Sequence, residues 1–112
     1  MKIYHNPRCS KSRQTLQLIE EKGATVEVVK YLEDVPTKEE LADIISKLGI
    51  NPSQLIRKGE AIFKENFKGK DLTDDQWIEA MIAHPKLIER PIVVKGDKAV
   101  LGRPPENVLD LI

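Results

Sequence analysis

The opening of the chain constrains its fold most. Lys2-Ile3-Tyr4-His5 is a short strand candidate, and Asn6-Pro7 punctuates its end because proline brings no amide N–H to a ladder. From Ser10 to about Lys22, Thr15, Leu16, Leu18 and Ile19 set an apolar stripe at helical spacing, with Gly23 as the stop. Val26 to Leu32 is β-branched and strand-like again. Strand, helix and strand in such close order make a βαβ unit, whose strands lie parallel and whose crossover is right-handed.

The rest of the chain completes that start. After Pro36, Thr37 and Glu40 form a capping box in which the hydroxyl and the carboxylate reciprocally satisfy backbone donors. Leu41, Ile44, Ile45 and Leu48 then make one buried helical stripe that ends at Gly49. Thr73 and Gln76 repeat the capping logic for a helix through Trp77, Met81 and Ile82, both Trp77 and Met81 being core candidates. That helix must stop near His84-Pro85. Asn51 to Asp71 is less regular and suits short helical turns. Pro91 to Lys95 and Lys98 to Leu101 flank Gly96-Asp97, where glycine first in a two-residue loop suits a type II′ hairpin. Pro104-Pro105 then introduces a closing helix that would pack through Val108, Leu109 and Ile112. The order is βαβ, a helical insertion at approximately 36–86, then ββα. It predicts an α/β protein with a mixed four-stranded sheet, the plan of a thioredoxin-like fold, over residues 1–112 as a single domain.

Eighteen basic and eighteen acidic side chains cancel, so no global field draws the chain to nucleic acid or to an acidic membrane. Any anion must be held by local arrangement. No apolar run approaches the roughly 18 residues of a spanning helix. The N-terminus also lacks the apolar stretch and small-residue cleavage site of a secretory signal, and these two features together predict a cytoplasmic protein.

There is one cysteine, Cys9. A lone thiol forms no internal disulfide and builds no structural zinc site, and two histidines with one cysteine make a poor metal set, so no bound metal is expected. Redox chemistry here must borrow its second thiol from another molecule. Cys9 falls where the first helix begins, where unpaired amide donors and the helix dipole favour both a thiolate and a bound anion. Lys2, Arg8, Lys11 and Arg13 surround it in sequence, and no carboxylate occurs before Glu20. The competing reading is a buried structural thiol. A phosphatase loop would need arginine six positions on, where Thr15 stands, and a dithiol oxidoreductase would need cysteine where Ser12 stands. A monothiol C-x-x-S at a helix start remains, suited to chemistry through a mixed disulfide.

Arg57, Arg90 and Arg103 all stand in loop-like contexts, and a planar guanidinium clamps an oxyanion with two donors at once. Arg8 and Arg13 read equally well as solvated surface. His5, four residues before Cys9, either stabilises a thiolate or caps the strand, and His84 reads as a helix-end residue.

Four segments carry a resemblance: Tyr4 to Arg13, Leu55-Ile56-Arg57-Lys58, His84 to Val94, and Gly102-Arg103-Pro104-Pro105-Glu106. Together, in this order and over nearly the whole chain, they resemble the glutaredoxin-coupled arsenate reductases and their close relatives. The resemblance implies a thioredoxin-like fold with a helical insertion. It implies Cys9 as nucleophile, His5 and Ser12 as its catalytic neighbours, and Arg57, Arg90 and Arg103 as an oxyanion clamp, with Ser10 beside the thiol as a further substrate contact. It also implies a cis bond between Arg90 and Pro91 that aims Arg90 at Cys9. The chain stops at Ile112, where the well-known arsenate reductases continue, which places it nearer a shorter subgroup.

The activity so implied is arsenate reduction. The Cys9 thiolate attacks clamped arsenate, water leaves, glutathione attacks the cysteine-bound arsenic, and glutaredoxin resolves the mixed product to release arsenite. Glutathione serves as reducing co-substrate rather than bound cofactor. The same family includes thiol-dependent reductases of undefined substrate and transcription regulators related to Spx, so two alternatives stand beside arsenate reduction: a glutathione-dependent thiol reductase whose clamp holds a carboxylate or another oxyanion, and a protein that docks on a partner without turnover. Those regulators usually carry a Cys-x-x-Cys switch, absent here because position 12 is Ser12.

Overall fold

The computed structural model describes residues 1–112. They form two compact units: Met1–Asp34 with Arg90–Ile112, and Val35–Glu89.

The first unit is built on four strands in the order β2-β1-β3-β4. β1 (Lys2–Tyr4) pairs parallel with β2 (Glu27–Val29) and antiparallel with β3 (Ile92–Lys95), which pairs antiparallel with β4 (Lys98–Leu101). This is the mixed sheet of a thioredoxin-like α/β fold. α1 (Ser10–Glu21) is the crossover between the parallel strands. It buries Ser12, Thr15 and Ile19, while Leu16 and Leu18 are only partly covered. Ile3 from β1, Ile19 from α1 and Val93 from β3 are wholly buried in one apolar cluster with Val108 and Leu111. Gly96 has φ of 59° and no residue other than glycine has positive φ, so only the first loop residue is left-handed, as a type II′ turn requires.

Two expectations are corrected here. The strand anticipated over Val26–Leu32 is only Glu27–Val29, because from Lys30 the backbone turns, its carbonyl accepting the amides of both Glu33 and Asp34. The closing helix is a 3-10 segment, Pro105–Asp110. Its side chains repeat every three residues, so Val108 and Leu111 point inward together, while Leu109 and Ile112 are left exposed.

The second unit is helical. α2 (Lys38–Leu48) and α4 (Asp74–Ala83) both begin with the capping boxes read from Thr37/Glu40 and Thr73/Gln76. α2 ends at Gly49, which takes the left-handed conformation at φ 70°. Between them lie a 3-10 turn at Pro52–Leu55 and the short helix α3 (Ala61–Asn66). Trp77 and Met81 are buried, and the Trp77 ring stacks with Phe63 at 6.3 Å between centroids. No helix is long and apolar enough to cross a membrane.

Candidate functional site

Cys9 is the residue immediately before α1, in extended conformation, and is 8% exposed. Its amide donates to the Asn6 carbonyl at 3.0 Å, closing the turn Asn6-Pro7-Arg8-Cys9 and fixing where the thiol enters the helix. Arg8 N–H donates to the Asn6 side-chain oxygen at 3.0 Å, and Arg13 reaches back to the Pro7 carbonyl at 2.9 Å. Arg13 is therefore a brace for the thiol turn, which its exposed position in the first turn of α1 gave no reason to expect.

The thiol makes no close cap hydrogen bond of the usual kind, yet the backbone amides of Ser12 and Lys11 are aimed at it. Burial pushes the Cys9 thiol up. The Ser12 amide, a side-chain hydrogen bond and charge from Arg90, and the Lys11 amide outweigh it, so the thiol lies below its ordinary range. Arg103 Nη2 lies 3.9 Å from Sγ, and its Nε donates to the Arg90 carbonyl at 2.9 Å. Two guanidiniums thus meet one sulfur, and one of them is held by the backbone of the other. The bonds Arg90–Pro91 and Arg103–Pro104 are both cis, the second unforeseen in the sequence.

The arginine-bearing loops are seated directly on α1. Gly102 N–H donates to the Pro91 carbonyl at 2.9 Å, extending the β3–β4 ladder by one bond. Thr15 Oγ1 donates to the Lys11 carbonyl at 2.8 Å and lies 3.2 Å from the Gly102 carbonyl. A Cβ at Gly102 would fall 2.5 Å from Thr15 Oγ1 and 2.7 Å from Pro91 Cγ, so only glycine permits this approach. Asn107 Nδ2 donates to the Leu101 and Arg103 carbonyls at 3.1 and 3.2 Å, fixing the far side of the segment. Thr15, Gly102 and Asn107 escaped the sequence reading because none carries chemistry of its own. The Gly-Arg-Pro-Pro run was the one available signal.

His5 Nδ1 lies 2.6 Å from Ser12 Oγ, which also accepts the Asn6 amide at 3.0 Å. Burial first, then the charges of Lys30 and Arg13, hold His5 below its ordinary 6.5, so the neutral ring is favoured, and one hydrogen bond joins Nδ1 and the Ser12 hydroxyl. The His5 backbone continues the strand, its amide donating to Val29 at 2.8 Å. Ser10 opens α1 and is exposed.

Arg57 belongs to the other unit. There its Nη1 donates to Glu89 at 3.0 Å, its Nε lies 3.6 Å from Glu60, and its amide donates to the Leu87 carbonyl at 2.7 Å. That unit also has a hollow of about 470 Å³ lined in part by Glu60, Ile62, Glu65, His84 and Lys86. It contains no nucleophilic thiol, since the single cysteine lies in the sheet-bearing unit.

In sum of charge and geometry, the sheet-bearing unit presents a near-buried, acidified thiol between two guanidiniums at a helix start. Such a group attacks an electrophilic centre that carries negative oxygens, because the guanidiniums offset the like charge that otherwise keeps thiolate and oxyanion apart.

Comparison with known proteins places this geometry among relatives. The model of the ArsC family matches residues 4–111. The uncharacterized protein YfgD of Escherichia coli K12 is 49% identical, the match covering 100% of this chain and 96% of that protein. The arsenate reductase of Neisseria meningitidis serogroup A is 46% identical over 96% of this chain and 94% of its own length. Among solved structures, the arsenate reductase from Vibrio cholerae superposes with a TM-score of 0.94 at 49% identity, covering 100% of this chain and 98% of that one.

Proposed function

The chain belongs to the ArsC family, and from that premise we propose that it is an arsenate reductase that draws its electrons from glutathione and glutaredoxin. The observation that carries the proposal is the Cys9 sulfur, with its pKa lowered at the start of α1 and both Arg90 and Arg103 against it. Arg90 and Arg103 hold the oxyanion, Cys9 attacks arsenic, and one arsenate oxygen leaves as water after taking up protons. Glutathione then attacks the cysteine-bound arsenic. Arsenic gains the two electrons that the two thiols lose as they become a disulfide. Glutaredoxin resolves the mixed product, arsenite is released and Cys9 returns to the thiol. Per turnover, one arsenate and two thiols give one arsenite, one disulfide and one water.

Ser12 and His5 hold the turn from which the thiol emerges, and Ser10 is the hydroxyl nearest to it in sequence. The part of Arg57 rests on the family resemblance alone. The test is arsenite formation with glutathione and glutaredoxin by wild-type and Cys9→Ser protein. Turnover by the wild type and none by Cys9→Ser, which keeps the fold but neither ionises near neutral pH nor passes electrons to arsenic, is the expected result. Equal rates in the two proteins overturn the mechanism. No turnover in either, with Cys9 still forming mixed disulfides, moves the reading to a thiol reductase of another substrate.

A further inference from the structure

We infer that a groove at the carboxyl ends of β1 and β2 docks the small thiol co-substrate, a molecule with two carboxylates and one ammonium, as glutathione has. This inference rests on the function proposed above. The groove measures about 260 Å³ and is lined by two stretches, His5-Asn6-Pro7-Arg8 leading into α1 and Lys30, Leu32 and Glu33 from the turn after β2. Its volume falls just below the about 300–1,000 Å³ of pockets for drug-sized ligands, a fit for a smaller one.

Position, charge and reach all favour that occupant. β1 and β2 run parallel, and ligands of α/β sheets bind in the crevice beyond the carboxyl ends of such strands, where the following loops diverge. The loop on one side is the thiol's own turn, since the Cys9 amide closes it on Asn6. The turn on the other side is tied by the Glu33 and Asp34 amides, at 3.0 and 2.9 Å from the Lys30 carbonyl. Arg8 and Lys30 supply two cations and Glu33 one anion, the complement of two carboxylates and an ammonium. Bare arsenate would gain nothing from Glu33 and would be repelled by it, so this groove does not read as a second oxyanion site. Leu32 is 39% exposed, an apolar surface for the uncharged middle of a peptide. Arg8 directly precedes Cys9, and their Cα atoms are about 3.8 Å apart. Cys9 itself does not line the groove, but a tripeptide extends over about 10 Å, longer than the step from Arg8 to Cys9, so one lodged here has the length to reach toward the thiol.

The test needs no arsenate. Cys9 thiolate attacks one sulfur of oxidised glutathione, the S–S bond breaks, glutathione thiolate departs, and Cys9 is left as the mixed disulfide. The rate of that exchange is followed by intact mass against a neutral control, hydroxyethyl disulfide, in wild type, Lys30→Gln and Glu33→Gln. Both substituted side chains are exposed. Docking predicts that Lys30→Gln slows exchange with oxidised glutathione about fivefold and leaves the neutral disulfide within about twofold. It predicts that Glu33→Gln also slows oxidised glutathione, although removal of an acidic charge attracts an anionic reagent more strongly. Faster exchange in Glu33→Gln would reduce the effect to long-range attraction and overturn the proposal. Equal changes with both disulfides would overturn it too, since Lys30 would then act through His5 and the thiol turn. Failure of arsenite formation with this pattern intact would sink the arsenate reading and leave the groove standing.

Discussion

Gly102→Ala is the substitution whose outcome the geometry determines most directly. The added methyl would lie 2.5 and 2.9 Å from Thr15 Oγ1 and Cγ2 and 2.7 Å from Pro91 Cγ, against the about 3.5–4.0 Å at which carbon atoms rest. Overpacking of this kind costs about 1–3 kcal/mol. The about 0.4–1 kcal/mol that alanine gains by stiffening the unfolded chain does not offset it. Forcing Thr15 away also weakens its contact with the Gly102 carbonyl, a hydrogen bond worth about 0.5–1.5 kcal/mol. A net loss of about 2 kcal/mol lowers the melting temperature by about 8 °C at roughly 4 °C per kcal/mol for a chain of this size. Far-UV circular dichroism is the assay, with Cys9 alkylation as a local probe, because Trp77 lies in the other unit and its fluorescence reports there. Thr15→Ala removes two of the three clashing atoms, so the double variant should be about 1 kcal/mol more stable than the sum of the single effects. A melting temperature within about 2 °C of wild type for Gly102→Ala, or strictly additive effects, would refute the reasoning.

Arg90→Ala should raise the pH at which Cys9 becomes reactive to iodoacetamide more than Arg103→Ala does, since Arg90 supplies both a hydrogen bond and charge to the sulfur, whereas Arg103 stands 3.9 Å away. Sulfate at constant ionic strength should slow alkylation of wild-type protein by placing like charge beside the thiolate, and either arginine variant should blunt that effect. Unchanged profiles in both variants would remove the arginines from the site. His5 makes a separate prediction about stability. The unfolded chain takes up a proton near pH 6.5, and the folded chain takes it up only at lower pH. Stability contributed by neutral His5 is therefore complete above about pH 6.5 and is lost as pH falls toward the lowered folded value. Urea unfolding at steps from pH 7.5 to 5 should show that decline in wild type and a flatter profile in His5→Asn.

The elements legible in the sequence were those that local chemistry dictates. Thr37 and Thr73 name their helix starts because the capping partners sit three residues on, and Gly96-Asp97 names its hairpin because one left-handed residue suffices. The thiol at the start of α1 was legible for the same reason. What stayed hidden depends on contacts between distant residues. Nothing near Arg57 in sequence announces that Glu89 takes its guanidinium, 32 positions later. Thr15 reads as one more member of a helical stripe until Gly102, 87 positions away, is seated on it. The 3-10 character of Pro105–Asp110 could not be separated from an α-helix by periodicity over six residues, and that ambiguity exchanged Leu111 for Leu109 and Ile112 in the expected core.

Arg103 meets Cys9 from 94 positions down the chain. During synthesis at about 5–20 residues per second, Arg103 is therefore joined to the chain roughly 5–20 s after Cys9. For most of that interval β1 lacks its antiparallel partner β3 as well, and the nascent segment carries a cysteine with neither arginine beside it. Such a thiol lacks the hydrogen bond and the charge by which Arg90 helps to lower its pKa. The arginines' share in Cys9 reactivity is thus a property of the finished chain: the Ser12 and Lys11 amides come with α1, but the guanidiniums arrive only when β3 and the Gly102-Arg103 segment close onto it. A ribosome stalled before Arg90 holds a protein whose nucleophile still lacks both of its guanidiniums.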